Sequence, residues 1–217
     1  MAYEEVELLK MNCILFIRHG ESESNVKHVI SHDPEIYPLT EKGVEQSKLV
    51  GNGLKNLNLD AIYSSPILRC RQTAQIIAEY VKCPLVYDER IRERFFGNFN
   101  NRRVEPLDWK TFLIEKASKE SVEGWDEIYF RVKELVEEVK NKNVIIVSHY
   151  DIIRAFIAKQ LGLEDELSAW GIVIPNASLS IILNNNGSYK VSAIGIPPVE
   201  ELIDKAVEGL KTGNVRP

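Results

Sequence analysis

Short apolar runs alternate with longer amphipathic stretches along this chain, and that alternation restricts it to few folds. Residues 13–17, 60–63, 84–87 and 144–147 read as short strands, the first and last apolar enough for burial on both faces. A stretch entered through Pro38-Leu39-Thr40 reads as a helix over 40–54 with Thr40 as its N-cap. Pro66 stands where a first helical turn accepts proline, which predicts a second helix over 66–81. Further helices are predicted over 107–116, 125–140 and 151–161, and Pro198 opens a last one. Residues 179–183 and 189–194 flank Asn184-Asn185-Asn186-Gly187, a hairpin signal. Strand and helix in alternation imply a mainly parallel central sheet with helices on both faces, a three-layer α/β/α architecture. The late hairpin adds an antiparallel edge. The expected organisation is one domain over 1–217, with its core at about 12–195 and a small cap over 98–124, where strand signal is missing.

The 217 residues carry a formal net charge of −5, which argues against a nucleic-acid partner and against a polybasic membrane surface. No apolar run is long enough to span a bilayer, and the glutamate-rich start lacks the pattern of a signal peptide. Cys13, Cys70 and Cys83 are an odd set without metal-ligand spacing, and suit a reducing, cytoplasmic setting. On an acidic chain, arginines near a strand end become informative, because an anionic substrate must be drawn by a focused positive site.

Ligands of open parallel sheets bind beyond the carboxyl ends of the strands. Arg18-His19-Gly20-Glu21 follows the first strand directly, and Ser148-His149-Tyr150-Asp151 follows the 144–147 strand. If these strands are neighbours, two histidines face one mouth. Ser64-Ser65 ends a third strand, with Arg69 just beyond. A neutral imidazole can attack phosphorus and hold it covalently. Arginine pairs with phosphoryl oxygens at two points, and fixed cations stabilise the charge spread over them in the transition state. The leaving oxygen then needs a proton, which a carboxylic acid with a raised pKa supplies.

Arg18-His19-Gly20-Glu21 resembles the signature of the histidine phosphatase superfamily, in its phosphoglycerate mutase-like branch. Four further segments resemble that family's motifs in its order: Leu39-Thr40-Glu41-Lys42-Gly43 with Gln46; Ser64-Ser65-Pro66 with Arg69 and Gln72-Thr73-Ala74; Arg92-Glu93 with Gly97; and Val147-Ser148-His149 with Ile153-Arg154. The resemblance implies that His19 accepts the phosphoryl group. It implies that Arg18, Arg69 and His149 clamp the phosphoryl oxygens, that Asn25 contacts them, and that Glu93 is the acid and later the base. It implies a small phosphorylated substrate, with neither metal nor cofactor. A homodimer is compatible with the chain, which does not fix its assembly.

The chain departs from the pattern at several points. Tyr150 and Asp151 stand where two glycines commonly follow the second histidine. Tyr150 would narrow the mouth or stack on substrate. Asp151 is either a rival to Glu93 or the cap of the next helix, and the cap is the favoured reading. Asn100-Asn101 replaces a glutamate-glycine after the acid loop. The remaining arginines of 90–103 either read a second anionic group on the substrate or form a solvated face, while His28 and His32 read as loop residues and Trp109, Trp125 and Trp170 as packing. The arginine pair and proline run of the mutases are missing, and Ile174-Pro175-Asn176-Ala177-Ser178 looks more like the phosphatases. A phosphatase is the leading expectation. A cofactor-dependent phosphoglycerate mutase is the alternative, and a non-catalytic phospho-ligand binder the third.

Overall fold

A computed structural model describes residues 12–103, 121–185 and 187–212. The expected helix over 107–116, Trp109 and most of the cap expected over 98–124 lie outside these residues.

Six strands form one sheet in the order β4-β3-β6-β1-β7-β8. They are β1 (Asn12–Arg18), β3 (Ala61–Ser64), β4 (Leu85–Tyr87), β6 (Val144–Ser148), β7 (Leu179–Asn185) and β8 (Ser188–Ile196). The first four in the order are parallel, while β7 and β8 run antiparallel at the far edge. A small second ribbon pairs β2 (Val29–Ile30) with β5 (Arg102–Arg103).

Alternation along the central strands divides the core into two layers. Ile14 and Phe16 of β1, with Val144 and Ile146 of β6, pack toward α4 (Trp125–Glu138) and α5 (Tyr150–Gln160). Leu15, Ile17, Ile145 and Val147 face the other way, toward α2 (Glu41–Leu54), α3 (Leu68–Val81) and α6 (Glu200–Thr212). Ile14, Leu15, Phe16 and Ile17 are fully buried, each contributing about 1.5–3 kcal/mol of hydrophobic stabilisation. Helices on both faces of a mostly parallel sheet are what the alternation predicts. Cys13 and Cys70 lie buried within these layers.

Local signals set the helix starts. Thr40 caps α2 by accepting the Gly43 amide at 3.1 Å. Pro66 does not enter the first turn of α3; the helix begins at Leu68 with Ile67 as its N-cap. A proline just outside a helix costs no hydrogen bond, so sequence alone does not separate the two placements. Two very short elements had no sequence signal: α1 (Glu23–Val26) and the β2–β5 ribbon.

Candidate active site

Arg18 of β1 stands in register with Ser148 of β6, so the next residues, His19 and His149, leave the sheet side by side. Their ring centroids are 5.3 Å apart, with planes at 60°. Behind His19 the backbone of the turn packs directly on the first turn of α2. A Cβ on Gly20 would lie 2.4 Å from the Gly43 carbonyl oxygen, and one on Gly43 would lie 2.0 Å from that of Glu21. The Gly20 amide donates to Thr73 Oγ1 at 3.0 Å. Only glycine at both positions allows this approach.

His19 Nδ1 lies 2.7 Å from the Gly20 carbonyl oxygen. A carbonyl only accepts, so Nδ1 carries the hydrogen and Nε2 the lone pair. Arg69 Nε donates to that Nε2 at 3.2 Å. Burial, reinforced by the charges of Arg69, Arg18 and His149, pushes the His19 pKa well below 6.5. The imidazole is neutral, with its bare nitrogen beside a cation.

Arg69 is 2 % exposed. Its Nη2 donates to the Ser31 carbonyl at 2.9 Å and to Glu93 Oε2 at 3.1 Å, and lies 3.1 Å from His149 Nδ1. Arg18 Nη1 donates to the Ile174 carbonyl at 2.8 Å. Burial pulls the Arg18 pKa down to about 10, which leaves it cationic at neutral pH. Arg18 Nε and Arg69 Nη1 are buried and have no hydrogen-bond partner among the described residues. Both side chains line a cavity of about 510 Å³. Two guanidinium side chains lining one cavity suit an anion that accepts from both.

Glu93 faces the same cavity. Its Oε1 accepts from the Arg94 amide at 3.0 Å, and its Oε2 lies 3.3 Å from His149 Nδ1. Burial alone would raise its pKa, but His149, Arg69 and the Arg94 amide outweigh burial and hold it down to about 2. Glu93 is therefore a carboxylate in the free site, paired with the Arg69 guanidinium. His149 is fully buried, and burial pulls its pKa down to about 4 despite Glu93. Its Nε2 hydrogen-bonds with Ser65 Oγ at 2.8 Å. His149 contacts Arg69 Nη2 and Glu93 Oε2 and is not among the residues lining the cavity.

Asn25 lines the cavity, but its Oδ1 already accepts from the Ser22 amide and hydroxyl and from Asn176 Nδ2. Only its amide nitrogen is left to meet a substrate oxygen. The Tyr150 ring meets two guanidinium carbons, Arg18 at 5.1 Å and Arg154 at 5.0 Å from its centroid, and its hydroxyl donates to the Ile172 carbonyl at 3.1 Å. Asp151 is not a helix cap. His149 holds the N-cap position of α5, and the Asp151 carboxylate pairs with Arg154 at 2.9 Å and Arg94 at 3.5 Å. Arg94 is buried too, which corrects its reading as part of a solvated face. Trp170 and His28 line the cavity. Asn100 Oδ1 accepts the His32 amide at 2.9 Å, and so steadies the turn whose Ser31 carbonyl receives Arg69. Ser31 and Glu166 had no sequence signal for a place in the site. Among the described residues no group of three potential metal ligands comes together, and no helix is long and apolar enough to cross a membrane.

Residues 14–197 match the model of the histidine phosphatase superfamily, branch 1, and the chain belongs to that family. It is 35% identical over 176 residues to a 2,3-bisphosphoglycerate-dependent phosphoglycerate mutase of Thermoplasma acidophilum, covering 79% of this chain and 87% of that one. It is 34% identical over 183 residues to phosphoserine phosphatase 1 of Hydrogenobacter thermophilus, covering 78% and 85%. The solved structure of YhfR from Bacillus stearothermophilus shares the fold at a TM-score of 0.75 and 23% identity, over 85% of this chain and 97% of that one.

Proposed function

We propose that this chain is a phosphomonoesterase that carries the phosphoryl group on His19 Nε2 and passes it to water. One observation carries the reading: a neutral imidazole, its unprotonated Nε2 held against the Arg69 guanidinium, lines one cavity together with Arg18, Arg69 and Glu93. The phosphoryl oxygens accept from the guanidinium groups of Arg18 and Arg69, which stabilise the charge spread over them in the transition state. Nε2 forms a bond to phosphorus as the ester P–O bond breaks. Glu93, protonated once substrate is bound, gives its proton to the leaving oxygen. The same carboxylate then takes a proton from water, whose oxygen attacks phosphorus and breaks the N–P bond. Phosphate leaves, and His19 returns to its neutral form. His149 holds Arg69 and Glu93 in place.

Water is favoured over a second substrate as acceptor by the arginines nearest the acid loop. Arg102 and Arg103 lie exposed on β5 and are not among the residues lining the cavity. A mutase remains the second reading, favoured by the 35% identical relative. Hydrolysis rates across sugar phosphates, nucleotides, phosphoglycerates and phosphopeptides test the first reading. A coupled assay of phosphoglycerate interconversion, with bisphosphoglycerate present, tests the second. Interconversion faster than hydrolysis would replace the phosphatase reading with the mutase one.

A further inference from the structure

We infer that Arg94, Asp151, Glu166 and Arg154 form a buried ring of alternating charge that positions Glu93 for proton transfer to the leaving group. The inference rests on the proposed role of Glu93 as the acid.

Arg94 Nη1 and Nη2 meet the two carboxylate oxygens of Glu166 at 2.7 Å and 3.2 Å, a forked pair. Nη1 also reaches Asp151 Oδ2 at 3.5 Å. Arg154 Nη2 closes the ring, at 2.9 Å from Asp151 Oδ1 and 3.6 Å from Glu166 Oε1. The side chains of Arg94 and Arg154 are 3% exposed, that of Asp151 10% and that of Glu166 19%. The guanidinium carbon of Arg154 sits over the rings of Trp125, Tyr150 and Trp170 at 5.1, 5.0 and 5.4 Å. Two cations face two carboxylates, so no charge in the ring is left unpaired.

Arg94 joins this ring to the acid. Its amide donates to Glu93 Oε1, while its Nε donates to the Glu123 carbonyl at 2.9 Å. The guanidinium thus ties the residue after Glu93 to the first turn of α5, to Glu166 and to the 121–124 segment. That first turn follows His149, so the acid and the second histidine share one anchor. A buried ion network is a poor source of net stability compared with apolar packing. It does fix geometry, and a misplacement of about 1 Å at a reacting group can lower a rate about 100-fold.

The distinguishing readout is dependence on the leaving group. The butoxide leaving from butyl phosphate must be protonated as it departs, whereas the p-nitrophenolate leaving from p-nitrophenyl phosphate is a stable anion. Glu93→Gln sets the reference, with kcat/KM falling at least about 100-fold for the alkyl ester and far less for the aryl one. Arg94→Met should reproduce that pattern, losing about 10- to 100-fold on butyl phosphate and less than about threefold on p-nitrophenyl phosphate. Glu166→Gln, a milder change at the edge of the ring, should shift the ratio in the same direction. Equal losses on both esters in the two ring variants, or no loss on either, would overturn the positioning role while leaving Glu93 as the acid. Equal losses in Glu93→Gln would remove the acid itself, and the inference with it.

Discussion

Glu93 is a carboxylate in the free site and must be an acid when the ester bond breaks, so binding of a dianion should draw in a proton. The free-site pKa is about 2, because His149, Arg69 and the Arg94 amide hold the charged form against the pull of burial. A dianion bound against Arg69 and Arg18 in the shared cavity brings two negative charges close to Glu93. At about 4 Å and an effective dielectric of about 20, each charge disfavours the carboxylate by about 4 kcal/mol, or about three pH units. Two charges therefore raise the Glu93 pKa when the dianion binds. Tungstate is a suitable probe, since it is a tetrahedral dianion with no proton of its own at neutral pH. Titration calorimetry at pH 7 in buffers of different ionisation enthalpy counts the protons taken up. The expected result is an uptake approaching one proton per tungstate in the native chain and close to none in Glu93→Gln. Uptake of the same size in the variant would place the proton on an imidazole and refute the reasoning. No uptake by the native chain would refute it too.

Two further outcomes follow from the same contacts. Gly43→Ala puts a Cβ 2.0 Å from the Glu21 carbonyl oxygen, and backbone rather than a flexible side chain must yield. We expect about 2–3 kcal/mol of destabilisation, seen as a melting temperature lower by roughly 5–10 °C, with a fall in kcat/KM as the His19 turn shifts; an unchanged melting temperature would contradict the close approach. Stability should also fall on acidification. Burial holds His149 neutral down to about 4 and His19 well below 6.5, so the unfolded chain binds these protons first as pH drops through 6.5. For His149 the loss is about 3 kcal/mol by pH 4, and Glu93 adds a second decline from 4.5 down to about 2. Urea midpoints at pH 7 and 4.5 check the first decline, which should shrink in His149→Gln. A midpoint that rises on acidification would show that the imidazoles are not held neutral.

Most of the fold is legible in the sequence because its central strands are apolar on both faces. Such runs belong inside a parallel sheet, and β1, β3 and β6 are found there. The neighbour relation of β1 and β6 is less legible, since 130 residues separate His19 from His149 and no local pattern encodes the pairing. The motifs compensate, because each places a polar side chain at a strand end or on the helix beside it. The charge states of the site are where reading the chain fails. Glu93 looks like a buried acid when only burial is considered, and Asp151 looks like a cap when only its place before an apolar helix is considered. Both depend on distant partners, Arg69 standing 24 residues from Glu93 and Arg94 57 residues from Asp151. Ser65 shows the same limit. Its motif is visible in the sequence, but its bond to His149 crosses 84 residues.

The central claim is the covalent intermediate on His19. Its most direct test is to mix the protein with a phosphomonoester labelled at phosphorus, quench in alkali within one turnover, and map the labelled peptide. We expect one label on the peptide containing His19, stable in alkali and lost in acid, and none in His19→Ala. An acid-stable label, a label on another peptide, or full hydrolytic activity in His19→Ala would contradict the account.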